Sequence, residues 1–229
     1  MNKGWARDRK GFNEAIRAFA EFRRRHPNAV LYVHSEQHGA AEGIDLVELA
    51  KHAGVPPEAL LWVSQYDYRR GYPPEIMAAV YTAMDVLLSP SHGEGFCVPL
   101  IEAQACGTPV IASGFSSQKE LASPEYGAAG WLVEGQPEWD PAQKATYICP
   151  FIGSVVECLE QAYAADLPAM AERAVAFASQ YDTKRVWENY WRPALAQLDP
   201  PPRQKRDAIK DIAVVVPCVR DEDNAKRLR

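Results

Sequence analysis

The chain has 229 residues, 47% of them hydrophobic, and a formal net charge of -5. That length holds one large domain, or one of about 150 residues with appendages, and the apolar content excludes wholesale disorder. The acidic balance argues against a general nucleic-acid binder, so an anionic ligand has to be held by local features and not by the global field. Along the chain, Phe12, Ala15, Ile16, Phe19 and Phe22 share the helical spacing of one amphipathic face, and Pro27 lies past its end. Ala29–Val33 reads as a buried strand, residues 44–53 as a helix with Gly54 as its cap, and Leu60–Val63 as the next strand. Pro73-Pro74 opens a helix to about Met84. Asp85–Leu88 is a strand, Pro99–Cys106 a helix, Pro109–Ala112 a strand and Trp131–Val133 a short one. Glu134–Asp140 reads as an acidic, tryptophan-bearing loop with no assigned purpose.

Strand and helix alternate up to about residue 150, and the strands are short and continuously apolar. This predicts an α/β domain with a Rossmann-like, doubly wound parallel sheet covered on both faces. Beyond 150 only helices are predicted, at about 151–164, 168–180 and 183–197. Trp187, Tyr190 and Trp191 on the last of these read as core or interdomain packing. Residues 1–198 are thus expected to be one domain. The Pro-rich, charged stretch at 199–211 reads as a linker, and 212–229, with its IAVVVP strand, as the truncated start of a further domain.

The five cysteines, Cys97, Cys106, Cys149, Cys158 and Cys218, are odd in number and include no C-x-x-C pair. They fit free thiols in a reducing cytoplasm better than a disulfide framework or a zinc site. Met1–Lys10 lacks the apolar core of a signal peptide, and no apolar run approaches the roughly 20 residues that span a bilayer. A cytoplasmic location is expected, with no transmembrane segment; peripheral membrane contact by a longer parent stays open.

The stretch Ser89–Ala112, SPSHGEGFCVPLIEAQACGTPVIA, carries the chemistry. It joins a strand to a helix at the carboxyl edge of the expected sheet, where open parallel sheets bind ligands. Gly93 and Gly95 flank Glu94 and let a ligand approach the main chain. The N–H groups near Gly95, Phe96 and Cys97 lead into a helix N-terminus, which suits a phosphate. Two carboxylates, Glu94 in the loop and Glu102 in the helix, read as lining one cleft at different depths, each accepting from sugar hydroxyls. A carboxylate would repel a diphosphate, so both are expected to stand away from it.

The pattern S-x-x-E-G-F-x-x-P-x-x-E-A-x-A-x-G-x-P-V resembles the Glu-x7-Glu signature of family 4 retaining glycosyltransferases of the GT-B fold. The likeness extends from residue 2 to about 197. It takes in Arg9-Lys10-Gly11 before a helix, similar to the family's R-K-G element, and Tyr81 with Ala83–Asp85 ahead of the signature. The resemblance implies the donor-binding half of a hexosyltransferase that uses a nucleotide-diphosphate sugar of UDP or GDP type, with retention, no metal and no other cofactor. It assigns Lys10 to the diphosphate, Glu102 to the ribose and Glu94 to the transferred sugar. Gly93, Gly95, Phe96, Cys97 and Val98 then form the loop around the donor. Lys3 stands near the family's second basic residue, and Cys97 replaces the commoner glycine. The acceptor-binding N-terminal domain would be a missing partner, so the fragment is expected to bind donor without transferring sugar. The alternatives are an inactive nucleotide-sugar-binding module, or a fragment of a GT-B-like epimerase or phosphorylase. The tail, V-V-V-P-C-V-R-D-E-D-N, resembles the opening of a family 2 glycosyltransferase of the GT-A fold.

Among neighbouring residues, Arg9 reads as a surface charge and His92 as incidental. His34 decorates a strand end. Ser116 and Ser117 read as caps of the next helix. Tyr66, Tyr68 and Tyr72 sit in a loop where a base could stack.

Overall fold

The structure, a computed structural model, describes residues 8–39, 43–141 and 143–198. The truncated domain expected at 212–229, the linker at 199–211 and Lys3 lie outside the described residues.

Helix α1 (Phe12–Arg25) buries Ile16, Ala18, Phe19 and Phe22, the face the spacing foretold. The Asp8 carboxylate accepts from the Asn13 amide at 2.6 Å and so satisfies a first-turn donor. Arg23–Arg25 complement the negative end of the helix. Strand β1 (Leu31–Val33) pairs in parallel with β2 (Leu60–Trp62), Leu31 opposite Leu60 and Val33 opposite Trp62. Between them runs α2 (Leu46–His52), capped by the Asp45 carboxylate on the Val47 and Glu48 amides. Two helices follow: α3 (Gln65–Arg70) and α4 (Pro74–Thr82). Tyr66 and Tyr68 therefore lie on a short helix and not in a loop, because the Ser64 hydroxyl caps its first turn.

The second parallel ladder is β3 (Leu87–Ser89), β4 (Val110–Ser113) and β5 (Gly130–Val133), with β4 in the middle. Helix α5 (Val98–Ala105) links β3 to β4, and α6 (Ser116–Ala122) links β4 to β5. Every residue of β4 is buried. Its side chains alternate as a strand's must: Ile111 packs with Phe22, Val133, Val155 and Leu159, while Val110 and Ala112 pack with Leu100, Leu121 and Phe177 on the other face. Burying a side chain such as Ile111 contributes roughly 1.5–3 kcal/mol. This is the sheet covered on both sides that a continuous apolar run demands.

Glu134–Asp140 is no loop. After β5 the chain forms an antiparallel hairpin of β6 (Gly135–Asp140) and β7 (Ala145–Pro150). Pro137 and several charges hide the alternation that would mark β6 in the sequence. Helices α7 (Ile152–Tyr163), α8 (Leu167–Ala178) and α9 (Thr183–Val186) complete one compact unit that reaches Val186. Among these helices, α7 packs on α1, and α8 on α5. A second unit begins at Trp187 with a π-helical segment, Trp187–Trp191, and α10 (Arg192–Ala196). Trp187, Tyr190 and Trp191 are 48%, 67% and 58% exposed, which removes the core role considered for them. Among the described residues no helix is long and apolar enough to cross a membrane.

Candidate functional site

The loop from β3 to α5 is fixed from all sides. Ser113 Oγ donates to the Ser91 carbonyl at 2.6 Å, and Gln118 Nε2 to the Ser89 carbonyl at 3.1 Å. The Ser116 and Ser117 hydroxyls both donate to the Glu94 carbonyl at 3.1 Å, and Ser117 also reaches the Phe96 carbonyl at 3.1 Å. These serines hold the loop. They do not cap α6, whose N-terminal turn has no side-chain cap. The His92 amide donates to the Arg9 carbonyl at 2.9 Å, and the Ile148 amide to the His92 carbonyl at 2.9 Å, so the loop is pinned between the start of the chain's first helix and β7.

That arrangement depends on Gly11. Its φ of 70° is left-handed, and a Cβ there would stand 2.1 Å from the Pro90 carbonyl oxygen. Only glycine lets the residues before α1 press against the loop. Arg9 and Lys10 are thereby delivered to Glu94: Lys10 Nζ lies 2.6 Å from Oε1 and Arg9 Nη1 3.1 Å from Oε2. Arg9 Nη1 also donates to the Gly93 carbonyl at 2.8 Å. Arg9 is thus part of the site and not a detached surface charge; its place beside Lys10 just ahead of a helix was the available sequence signal. The Glu94 side chain is 11% exposed. Burial works to raise its carboxyl, but the hydrogen bonds and charges of Lys10 and Arg9 outweigh this and hold it below the usual range.

Glu94 therefore does not stand apart from the basic residues. Two cations there compensate the one carboxylate. His92 is buried, with Nε2 3.4 Å from Glu14 Oε2, so it belongs to the support behind the loop. Burial would raise the Glu14 carboxyl; His92 beside it holds it below its usual value.

Beyond Glu94 the loop turns outward. Gly93 is buried; Gly95, Phe96 and Val98 are exposed. Among the described residues no group accepts from the N–H of Gly95, Phe96 or Cys97. The Phe96 ring meets Tyr181 edge-on with centroids 5.8 Å apart. Cys97, the cap of α5, has φ of 76°, a left-handed conformation for which glycine is the easy residue. Burial and then the Glu94 charge push its thiol up.

Glu102 makes a different contact. It is exposed on α5 and accepts from the buried Tyr81 hydroxyl at 2.9 Å, which couples α5 to α4. Burial and the Glu102 carboxylate push the Tyr81 hydroxyl well above its ordinary value. The hollow beside Glu94, about 280 Å3, is lined by Arg9, Gly93, Glu94, Gly95, Phe115 and Ser116 together with Gln143, Thr146 and Tyr147 of the hairpin. Neither Glu102 nor Lys10 lines it. The hairpin side was invisible to sequence reasoning, since it rests on pairing between residues that carry no motif. Tyr68 and Tyr72 stand elsewhere, flanking His34 with ring centroids at 5.4 and 5.7 Å.

The parallel strands and the pinned loop at their ends make up a mixed α/β domain of the kind found in GT-B glycosyltransferases. Residues 2–146 match the family described as glycosyl transferases group 1, and the chain belongs to that family. It is 39% identical over 107 residues to a D-inositol 3-phosphate glycosyltransferase of Segniliparus rotundus, covering 45% of this chain and 22% of that protein. It is 29% identical over 197 residues to the protein of the same name from Acidothermus cellulolyticus, covering 82% of this chain and 39% of that one. The chain thus spans well under half the length of these curated relatives. Its fold is similar to that of sucrose-phosphate synthase from Thermosynechococcus elongatus, with a TM-score of 0.56, 23% identity and coverage of 84% of this chain and 44% of that one. A pneumococcal O-GlcNAc transferase, GtfA, solved in complex with UDP and GlcNAc, gives a TM-score of 0.61 at 17% identity, over 83% of this chain and 34% of that one.

Proposed function

We propose that this domain is the donor-binding half of a family 4 glycosyltransferase that moves a hexosyl group from a nucleotide-diphosphate sugar with retention. The observation that carries the reading is the contact of Lys10 and Arg9 with Glu94 at the mouth of the β3–α5 loop. An anionic diphosphate needs cations and free amides close together; the turn before α1 brings the cations and this loop the amides. In this reading Lys10 and the N–H groups of Gly95, Phe96 and Cys97 take the diphosphate, with Val98 beside them. Glu94 takes the hydroxyls of the transferred sugar, and Glu102, on α5, takes the ribose diol. When the bond between the anomeric carbon and the diphosphate oxygen breaks, the leaving diphosphate keeps the electron pair. Lys10 and the amides stabilise that charge electrostatically, a role that requires no metal. The names of the relatives and the UDP-bound neighbour support a transferase that uses a nucleotide sugar, of UDP or GDP type in this reading. A further domain would supply the acceptor site.

Titration calorimetry of the chain with UDP and with GDP tests this. Saturable binding of one of them, weakened at least tenfold by Lys10→Met, is expected; absence of binding by both in a folded sample overturns the reading.

A further inference from the structure

The β6–β7 hairpin pairs only with itself within the described ladders, yet it is fastened to the donor loop. The Ile148 amide donates to the His92 carbonyl at 2.9 Å, and Ile148 itself is buried. The Tyr147 ring lies so close that a Cβ on Gly93 would come within 2.8 Å of its Cδ1. Gly93 is thus small because the tyrosine occupies the space a side chain would need. At the hairpin's base, the Phe151 amide donates to the Glu134 carbonyl at 2.9 Å and Ser154 Oγ accepts from the Glu134 amide at 2.8 Å. Anchored at both ends, the hairpin presents Gln143, Thr146 and Tyr147 to the hollow that Glu94 also lines.

The chemistry of that face is specific. Tyr147 donates its hydroxyl proton to Gln143 Oε1, which leaves the Gln143 amide protons and the lone pairs of the tyrosine oxygen for another group. The Asp140 carboxylate accepts from the Gln143 main-chain N–H at 3.0 Å and fixes where that side chain starts. Thr146 adds a hydroxyl, and Glu94 an acceptor from the loop. Donors and acceptors around a small hollow suit a ligand rich in hydroxyls. At about 280 Å3 the space falls near the lower end of small-molecule sites, roughly 300–1,000 Å3, and suits one ring rather than a whole nucleotide sugar.

We infer that the β6–β7 hairpin is the specificity wall for the transferred hexose, with Gln143 and Tyr147 reading its hydroxyl pattern together with Glu94. The inference rests on the donor-site reading above and extends it to residues outside the Glu-x7-Glu loop. Specificity of this kind comes from polar groups that a wrong sugar leaves unpaired.

Calorimetry of the chain with UDP, UDP-glucose, UDP-N-acetylglucosamine, GDP and GDP-mannose tests it, using wild type, Gln143→Ala and Tyr147→Phe. Gln143 is exposed, so its truncation leaves folding intact, and circular dichroism checks this. Wild type should prefer one nucleotide sugar over its parent nucleotide. Gln143→Ala should reduce that preference about tenfold, the size of one or two lost hydrogen bonds, while keeping affinity for the bare nucleotide within about twofold. Tyr147→Phe should shift the ranking among the sugars. If wild type binds the nucleotide with no preference among its sugars, or both variants keep the wild-type preference, the wall is overturned and the donor site stands. If wild type binds neither nucleotide, the donor reading falls and the wall with it.

Discussion

Lys10 Nζ donates to Glu94 Oε1 at 2.6 Å although 84 positions separate the two residues in the chain. The carboxylate that the loop motif supplies is held by a cation from the turn before the first helix. This contact couples the stability of the domain to the readiness of its site.

Removing the cation should therefore show in both. Lys10→Met leaves Glu94 with Arg9 alone and should cost roughly 1–2 kcal/mol, less than a fully buried pair would, because Lys10 is 32% exposed. The pH dependence follows from the depressed carboxyl of Glu94. A group lowered from its ordinary value of 4.5 contributes stability that is fully present above that pH and lost as pH falls through its lower folded value. Urea unfolding of wild type should show this loss from about pH 4.5 downward, and Lys10→Met should flatten it. An unchanged slope in the variant would disconnect Glu94 from Lys10.

Gly11 should tolerate no side chain. Gly11→Ala places a Cβ 2.1 Å from the Pro90 carbonyl oxygen at a φ of 70°, so the loop or the helix start must move. A loss of roughly 2–4 kcal/mol in unfolding free energy is expected, together with weaker nucleotide binding, since Lys10 moves with its neighbour. The denaturation midpoint and the calorimetric affinity check the two parts separately.

Cys97 sits where its backbone favours glycine. Replacing it with alanine retains the left-handed strain and removes the thiol's packing; replacing it with glycine relieves the strain. Cys97→Gly should be more stable than Cys97→Ala by about 1 kcal/mol, measured from chemical denaturation. Equal stabilities would mean that the thiol and not the backbone governs the position.

The thiols should resist alkylation in the folded state. Burial, then the charges of Glu157 and Glu134, push the Cys158 thiol up to about 11, and burial also raises Cys97. Iodoacetamide at pH 8 followed by mass spectrometry should leave both unmodified for as long as the domain is folded, and label both in denaturant. Rapid labelling of Cys158 in the native protein would show that its helix opens.

The parallel α/β plan was legible because it follows from local rules. Ile111 and its neighbours form an apolar run too short for a helix and too continuous for a one-sided sheet, and Pro74 starts a helix by chemistry confined to its first turn. The loop Gly93–Val98 with Glu94 was equally readable, as a motif of consecutive residues. Sequence alone could not place Arg9 on Glu94, turn Ser116 and Ser117 from caps into loop braces, or raise the β6–β7 hairpin beside Gly93. Those relationships join residues tens of positions apart, and their energies exist only once the chain has closed. A left-handed Gly11, a buried hydroxyl on a distant carbonyl and a tyrosine ring filling a glycine's space leave no periodic trace in the sequence. The residue types at this site were written in the chain, and its walls and ion pairs were decided by packing.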